Sequence, residues 1–263
     1  MQIESQTRNS STSALLCLLL LVQSVPVSAE LDRGRLMRID NLVEGAIRDG
    51  HLPGGVVVVG HAGEIVYERS FGARSVDGSW EAMAPDTIFD LASLTKVVAT
   101  TTSVMILVEE GRLRLRDRVV KHFPEFGRHG KDRITIEHLL THVSGLRPDL
   151  PLEEVFEGSR TAIARVADEV PEAGPGDRFI YSDINFIVLG EIVRRVTGQT
   201  LDLFARERIF RPLGMTDTGF KLPLALITRI APTEPCAALA WPCSSSEDGA
   251  VMLRGRVHDP TAR

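Results

Sequence analysis

Lysine is the scarcest charged residue in this sequence. Of 30 basic side chains only four are lysines: Lys96, Lys121, Lys131 and Lys221. Arginine keeps its proton inside a protein, whereas lysine can give it up. Proton exchange by a primary amine is therefore confined to four positions. A single-signed basic stripe is absent as well. The net charge is −5, with both signs spread along the chain, which excludes the electrostatic footprint of a nucleic-acid binder. Cysteine is rare, with three residues, and tyrosine rarer, with two. Only one long apolar run exists, Ala14 to Val22, and it is shorter than the roughly 20 residues that span a bilayer. Two cysteines outside the apolar run make a poor metal site.

The first 29 residues have the pattern of an export signal. The apolar run matches a signal-peptide core, and Val27-Ser28-Ala29 offers small residues for cleavage before Glu30. The competing reading is an uncleaved anchor, which would be the chain's only contact with a membrane. A lipid anchor at Cys17 fits poorly, because the apolar run continues past it. The expected organisation is a signal over 1–29 and one domain over 30–263, exported to the periplasm or beyond the cell. Cys236 and Cys243 would remain, in a segment with the composition of a loop. Export permits a disulfide between them, and two free thiols are the alternative.

Hydrophobic residues make up 43% of the 263 positions and charged residues 25%, as in ordinary globular proteins with a sizeable core. Leu36, Ile39, Val43, Ala46 and Ile47 recur at helical spacing, predicting an amphipathic helix over 31–49 that stops at Gly50. Residues 56–59 and 64–71, joined through Gly60-His61-Ala62-Gly63, predict a β-hairpin. Its first run is apolar throughout, which predicts a strand buried on both faces. The stretch from Thr95 to Glu110 has few charges. Its β-branched residues favour a strand, but its length favours a helix, expected to be central and buried on nearly all sides. A short helix at 136–140, a turn at 173–177, an apolar helix at 184–196 closed by Gly198, and a helix at 201–210 stopped by Arg211-Pro212 complete the pass. The class is α+β. An early hairpin without further strand signal is its odd feature.

Two patterns carry chemistry. In Ser93-Leu94-Thr95-Lys96 the serine and lysine fall on one helix face, so Lys96 can reach the Ser93 oxygen. A serine hydroxyl needs such a base beside it. The helix N-terminus favours negative charge on Ser93, and burial would lower the lysine pKa towards a neutral amine. The bland alternative is an N-capping serine beside a solvated lysine. In Tyr181-Ser182-Asp183 the tyrosine follows a Gly/Pro turn and precedes an apolar helix, from which its hydroxyl could shuttle a proton. Here the bland alternative is a packed tyrosine with Asp183 as an N-cap. The histidines, His51, His61, His122, His129, His138, His142 and His258, include none in a Gly-x-Ser-x-Gly context. His142 is expected at most to shape a loop near a cleft.

At this point the residues resemble a known family. Ser93-Leu94-Thr95-Lys96 followed by Gly111-Arg112-Leu113 resembles the first motif of serine β-lactamases and penicillin-binding proteins. Leu139-Leu140-Thr141-His142-Val143-Ser144-Gly145-Leu146 is similar to the LLTHTSGL stretch of class C enzymes and their esterase relatives. Pro175-Gly176, Phe179 and Tyr181-Ser182-Asp183 resemble the PGxxFxYSN motif, and Pro212-Leu213-Gly214-Met215 with Thr218 resembles PLGMxxT. The resemblance implies a β-lactamase/transpeptidase-like fold, with an antiparallel sheet flanked by helices plus a helical lobe. It also implies an acyl-enzyme mechanism on a small ester, amide or lactam, without metal or organic cofactor. Ser93 would attack the carbonyl, Lys96 and Tyr181 would move protons, and Asp183 would bind substrate. The Ser93 N–H would form half of an oxyanion hole.

Two departures shape the expectation. Asp183 stands where the family more often has asparagine, and a carboxylate cannot donate an amide hydrogen bond. This tilts the reading towards an esterase over a β-lactamase or a D-peptide carboxypeptidase. No Lys-Thr-Gly or His-x-Gly follows Tyr181, so the sheet is expected to be incomplete at the C-terminus. The alternatives from another class are an inactive, binding-only relative and a fragment without function.

Overall fold

The computed structural model describes residues 32–151, 158–234 and 252–257. The export segment, Cys236, Cys243 and His258 lie outside the described residues. Among those residues no helix is long and apolar enough to cross a membrane.

Helix α1 spans Arg33–Arg48, with the Asp32 carboxylate accepting the Arg35 N–H as an N-cap. Its half-buried face carries Leu36, Ile39, Val43, Ala46 and Ile47, as the periodicity predicts. Strands β1 (Gly54–His61) and β2 (Glu64–Ser75) form the expected antiparallel hairpin, and a two-residue strand β3 (Glu81–Ala82) pairs with the end of β2. Val57 and Val59 lie opposite Arg69 and Tyr67 on one face. Helix α1 packs against this hairpin. Its buried Asp40 accepts hydrogen bonds from the Tyr67 hydroxyl and the Arg69 guanidinium. Burial and the Asp40 carboxylate push the Tyr67 phenol up to about 12. The prediction that β1 is buried on both faces fails. Val58 is 53% exposed, because the hairpin is packed on its α1 side while Val58 lies on the other.

The Thr95–Glu110 stretch is helical, so length outweighs β-branching. It opens as a π-turn over Lys96–Thr101 and continues as α2 over Thr102–Glu109. It is not buried on all sides. Ala99, Thr100, Ser103, Val104 and Leu107 face inward, while Val97 is 63% exposed. A helix with apolar residues on every side can still place only one stripe against its neighbours here, which are α5 (Asp183–Thr197) and α6 (Leu201–Ala205).

Helix α3 (Ile136–Leu140) has a reciprocal Thr135/His138 capping arrangement. Helix α4 (Ser159–Asp168) was not anticipated from the sequence. Helix α5 (Asp183–Thr197) ends as predicted at Gly198, whose φ of +77° suits glycine. Helix α6 (Leu201–Ala205) passes into a second π-turn, Arg206–Phe210. The main core gathers Val104 and Leu107 of α2, Leu139 of α3, Val166 of α4 and Ile184, Val188, Leu189 and Ile192 of α5. Phe123 and Phe126 join it from the connection between α2 and α3, Phe126 from a 3-10 segment over Pro124–Arg133 and Phe123 from its cap. A smaller cluster of Ala99, Ala205, Ile209 and Phe210 forms where the two π-turns meet.

Lys131 is fully buried. Its ammonium donates to the Ala167 carbonyl at 3.0 Å and to the Glu169 carbonyl, closing the C-terminus of α4. It also lies 5.2 Å above the Phe126 ring. Burial pushes this lysine down to about 8, against the opposing charges of Asp168 and Glu169.

Candidate active site

Ser93 and Lys96 stand at the head of the long helix. Ala92 precedes them with φ of +44°, a backbone conformation that side-chain-bearing residues seldom take. Its N–H is held by the Asp90 carboxylate at 2.9 Å. The chain then turns directly into helix, with the N–H groups of Leu94, Thr95 and Lys96 bonded back to the carbonyls of Leu91, Ala92 and Ser93. The turn leaves Ser93 exposed and puts Lys96 Nζ 2.9 Å from Ser93 Oγ.

Tyr181 and Asp183 arrive from the head of α5. Lys96 Nζ lies 2.7 Å from Asp183 Oδ1, 5.1 Å from the Tyr181 ring centre and 5.9 Å from that of Phe186. All four residues singled out from the sequence, Ser93, Lys96, Tyr181 and Asp183, therefore meet at one point. Asp183 is the first residue of α5 and Ser182 its cap position. The carboxylate thus sits at the positive end of the helix dipole.

The expectation that burial leaves Lys96 as a neutral amine is overturned. Burial is the largest single influence and pulls its pKa down. Hydrogen bonding to Asp183 and Tyr181, together with the Asp183 charge, outweighs it and holds Lys96 above the ordinary lysine value. The sequence argument counted the apolar helix and not the carboxylate opposite it.

The placement of Tyr181 and Asp183 depends on the Thr141–Leu146 loop. Backbone bonds stitch this loop to the segment ahead of α5. The Val143 carbonyl accepts from Gly176, the His142 carbonyl from Ile180, and the Pro148 carbonyl from Asp183. The Ser182 hydroxyl donates to the Arg147 carbonyl at 2.6 Å. Gly145 has φ of +82°, and a Cβ there would lie 2.0 Å from the Ala173 carbonyl oxygen. Only glycine permits that approach. His142, itself at φ +58°, turns its ring under the site. Its Nδ1 accepts from the Ser182 N–H at 3.0 Å, and the ring stacks on Tyr181 with centres 4.4 Å apart.

Sequence reasoning placed His142 near a cleft, but it missed Asn185, which is fully buried beneath it beside Ser144. The usable signal was a lone asparagine inside the apolar run of α5, since a buried amide needs partners. Among the described residues no three His, Cys, Asp or Glu side chains converge as a metal cage.

Residues 39–252 match the family described as Beta-lactamase. A protein of Escherichia coli (strain K12), provisionally named a D-alanyl-D-alanine carboxypeptidase, is 31% identical over 92% of this chain and 61% of its own length. A penicillin-binding protein homologue from Caulobacter crescentus is 29% identical and superposes with a TM-score of 0.67, covering 76% of this chain and 54% of its own. EstCE1, described as a hydrolase with promiscuous acyltransferase activity, is 25% identical with a TM-score of 0.69, over 77% of this chain and 57% of its own. The chain thus spans little more than half the length of these solved relatives. Their fold is the mixed β-lactamase/transpeptidase-like architecture implied by the motifs, here with a small antiparallel sheet and a larger helical part.

Proposed function

We propose, from the premise that this chain belongs to the beta-lactamase family, that it is a serine hydrolase that forms an acyl-enzyme at Ser93. The observation that carries this reading is the 2.9 Å contact between Lys96 Nζ and Ser93 Oγ, with Asp183 Oδ1 2.7 Å from the same nitrogen.

The chemistry follows from the protonation states. Lys96 rests as an ammonium, so it must shed a proton before it can act as a base. The Asp183 carboxylate is the acceptor within reach. Lys96 then takes the hydroxyl proton as Ser93 Oγ bonds to the substrate carbonyl carbon. The oxyanion forms near the head of the helix, where the Ser93 N–H and the dipole favour negative charge. As the carbonyl carbon releases its oxygen or nitrogen leaving group, the Tyr181 hydroxyl supplies a proton and recovers one from Lys96. Asp183 returns its proton to Lys96. Water, activated by the same groups, then splits the acyl ester and frees Ser93.

Substrates are small esters, amides or lactams, with esters favoured. Asp183 is engaged by Lys96 and cannot donate the amide hydrogen bond that asparagine would. The likeness to EstCE1 supports the same preference. The likeness to the Escherichia coli protein supports a D-peptidase as the second reading. Action outside the cytoplasm follows from the export pattern of residues 1–29.

Intact-mass analysis after fluorophosphonate treatment tests the proposal. One adduct per chain is expected, absent in Ser93→Ala. An adduct that persists in Ser93→Ala, or none on the folded wild-type chain, overturns it. Turnover of p-nitrophenyl esters, benzylpenicillin and an acylated D-Ala-D-Ala peptide then ranks the substrate classes, with the esters expected first.

A further inference from the structure

We infer that His142 is a positioning residue for the proton-transfer pair: its ring seats the Tyr181 phenol, and its Nδ1 anchors the backbone from which Tyr181 and Asp183 project. The inference rests on the roles proposed above for Ser93, Lys96 and Tyr181.

The Ser182 amide fixes the state of the imidazole. A backbone N–H can only donate, so Nδ1, 3.0 Å away, is the accepting and unprotonated nitrogen. The Asn185 side chain brings a second donor to the same nitrogen at 3.3 Å. The Ser144 hydroxyl holds the Asn185 carbonyl oxygen at 2.6 Å, which orients the amide nitrogen towards the ring. His142 is therefore a neutral imidazole protonated on Nε2. Its ring lies within 25° of parallel to Tyr181. Phe179 and Phe186 also pack against it, with centres at 5.8 and 5.2 Å. These contacts hold His142 in a left-handed conformation that costs backbone energy.

Three titratable groups face the ring: Lys96 from the π-turn, Asp183 from α5 and Tyr181 from the segment before α5. Burial, then the Lys96 ammonium, push the imidazole below its ordinary 6.5, with Asp183 opposing. A proton on Nδ1 would set a donor against the Ser182 and Asn185 donors. The Tyr181-Ser182-Asp183 segment would lose its anchor, and Tyr181 its seat. Acid thereby gains a route to silence the site that is separate from protonation of Asp183.

Two variants separate the ring from the nitrogen. His142→Asn tolerates the left-handed backbone, keeps an acceptor for Ser182 and removes the ring. His142→Phe keeps a ring face and removes the acceptor, leaving a buried N–H unpaired. The readout is fluorophosphonate labelling of Ser93 against pH, resolved into probe binding and inactivation rate, with thermal unfolding and NMR titration of His142 Cε1 alongside. Both variants are expected to cut the inactivation rate constant about tenfold or more, with probe binding within about twofold, because misplaced groups lose rate before affinity. In the wild type the rate falls reversibly with the ionisation followed at Cε1. In His142→Asn that acid limb is gone, since an amide does not titrate. A folded His142→Asn chain that labels at the wild-type rate, or keeps the same acid limb, overturns the inference. If His142→Phe fails to fold, His142→Asn decides alone. A folded wild-type chain that does not label at Ser93 overturns the acyl-enzyme reading and this inference together, so the two failures are distinguished by the wild type.

Discussion

Lys96 and Lys131 are both withdrawn from water, yet their pKa values move in opposite directions. The Lys96 side chain is 15% exposed and is held above its ordinary value. Lys131 is fully buried and is pushed down to about 8. Burial opposes the charge on each. The difference lies in the partner. Lys96 meets a carboxylate at 2.7 Å. Lys131 meets two backbone carbonyls and an aromatic face, which satisfy its hydrogens without supplying a full negative charge. The lysine with the lowered pKa closes a helix, and the lysine beside the serine is held in its charged form by the Asp183 carboxylate.

The largest effect should come from breaking the exchangeable side of this comparison. Lys96→Arg keeps a positive charge near Asp183 but cannot release a proton. Labelling of Ser93 is expected to fall about 10³-fold, in line with the loss of a general base, in a stopped-flow or quenched mass assay. The next test makes Lys96 resemble Lys131. In Asp183→Asn the opposing carboxylate is gone and burial dominates, so the Lys96 pKa moves down. The limb of the pH–rate profile that reports the free amine should shift towards acid. An unmoved limb would mean that Asp183 does not control Lys96.

The third test acts on Lys131. Lys131→Met leaves the Ala167 and Glu169 carbonyls without their donor and should destabilise the fold by about 1–3 kcal/mol, read by urea unfolding. The labelling rate per folded chain should not change. The smallest effect is a pH slope. The folded chain releases the Lys131 proton near 8, whereas the unfolded chain holds it to the ordinary lysine value of 10.5. Between those values the unfolded state binds more protons, so stability should rise with pH. That rise should vanish in Lys131→Met, while unfolding of Asp183→Asn should retain it.

The same comparison shows what the sequence could disclose. The scarcity of lysine and the Ser-x-x-Lys spacing placed Ser93 and Lys96 together, because both lie within one helical turn. Helices α1, α3 and α5 were legible for the same local reason, through periodicity and stop residues such as Gly198. The state of Lys96 was not, because Asp183 reaches it from a different helix. Burial of Lys131 was equally hidden, since its carbonyl partners sit at the end of α4, a helix whose Arg-rich sequence shows only a narrow apolar stripe. The outer face of β1 was misjudged because apolar composition does not say which elements arrive to cover it. His142 lay in a family-like stretch that gave it no role of its own. Its role emerges only when the loop around Gly145 is stitched to the head of α5.

The π-turn at Lys96–Thr101 bears on how this chain is aligned with others. A π-turn accommodates one residue more than the α-helical path it replaces. Removing one residue between Lys96 and Ala99 would restore α pitch and leave α2 seated in the core. It would also leave Ser93 and Lys96 facing Tyr181 and Asp183, because the π-turn takes up its extra residue without turning what precedes it. A single-residue gap at this position is therefore compatible with the same site. The same gap in the regular turns of α2 would instead turn Ser93 and Lys96 by about 100° around the axis, away from α5.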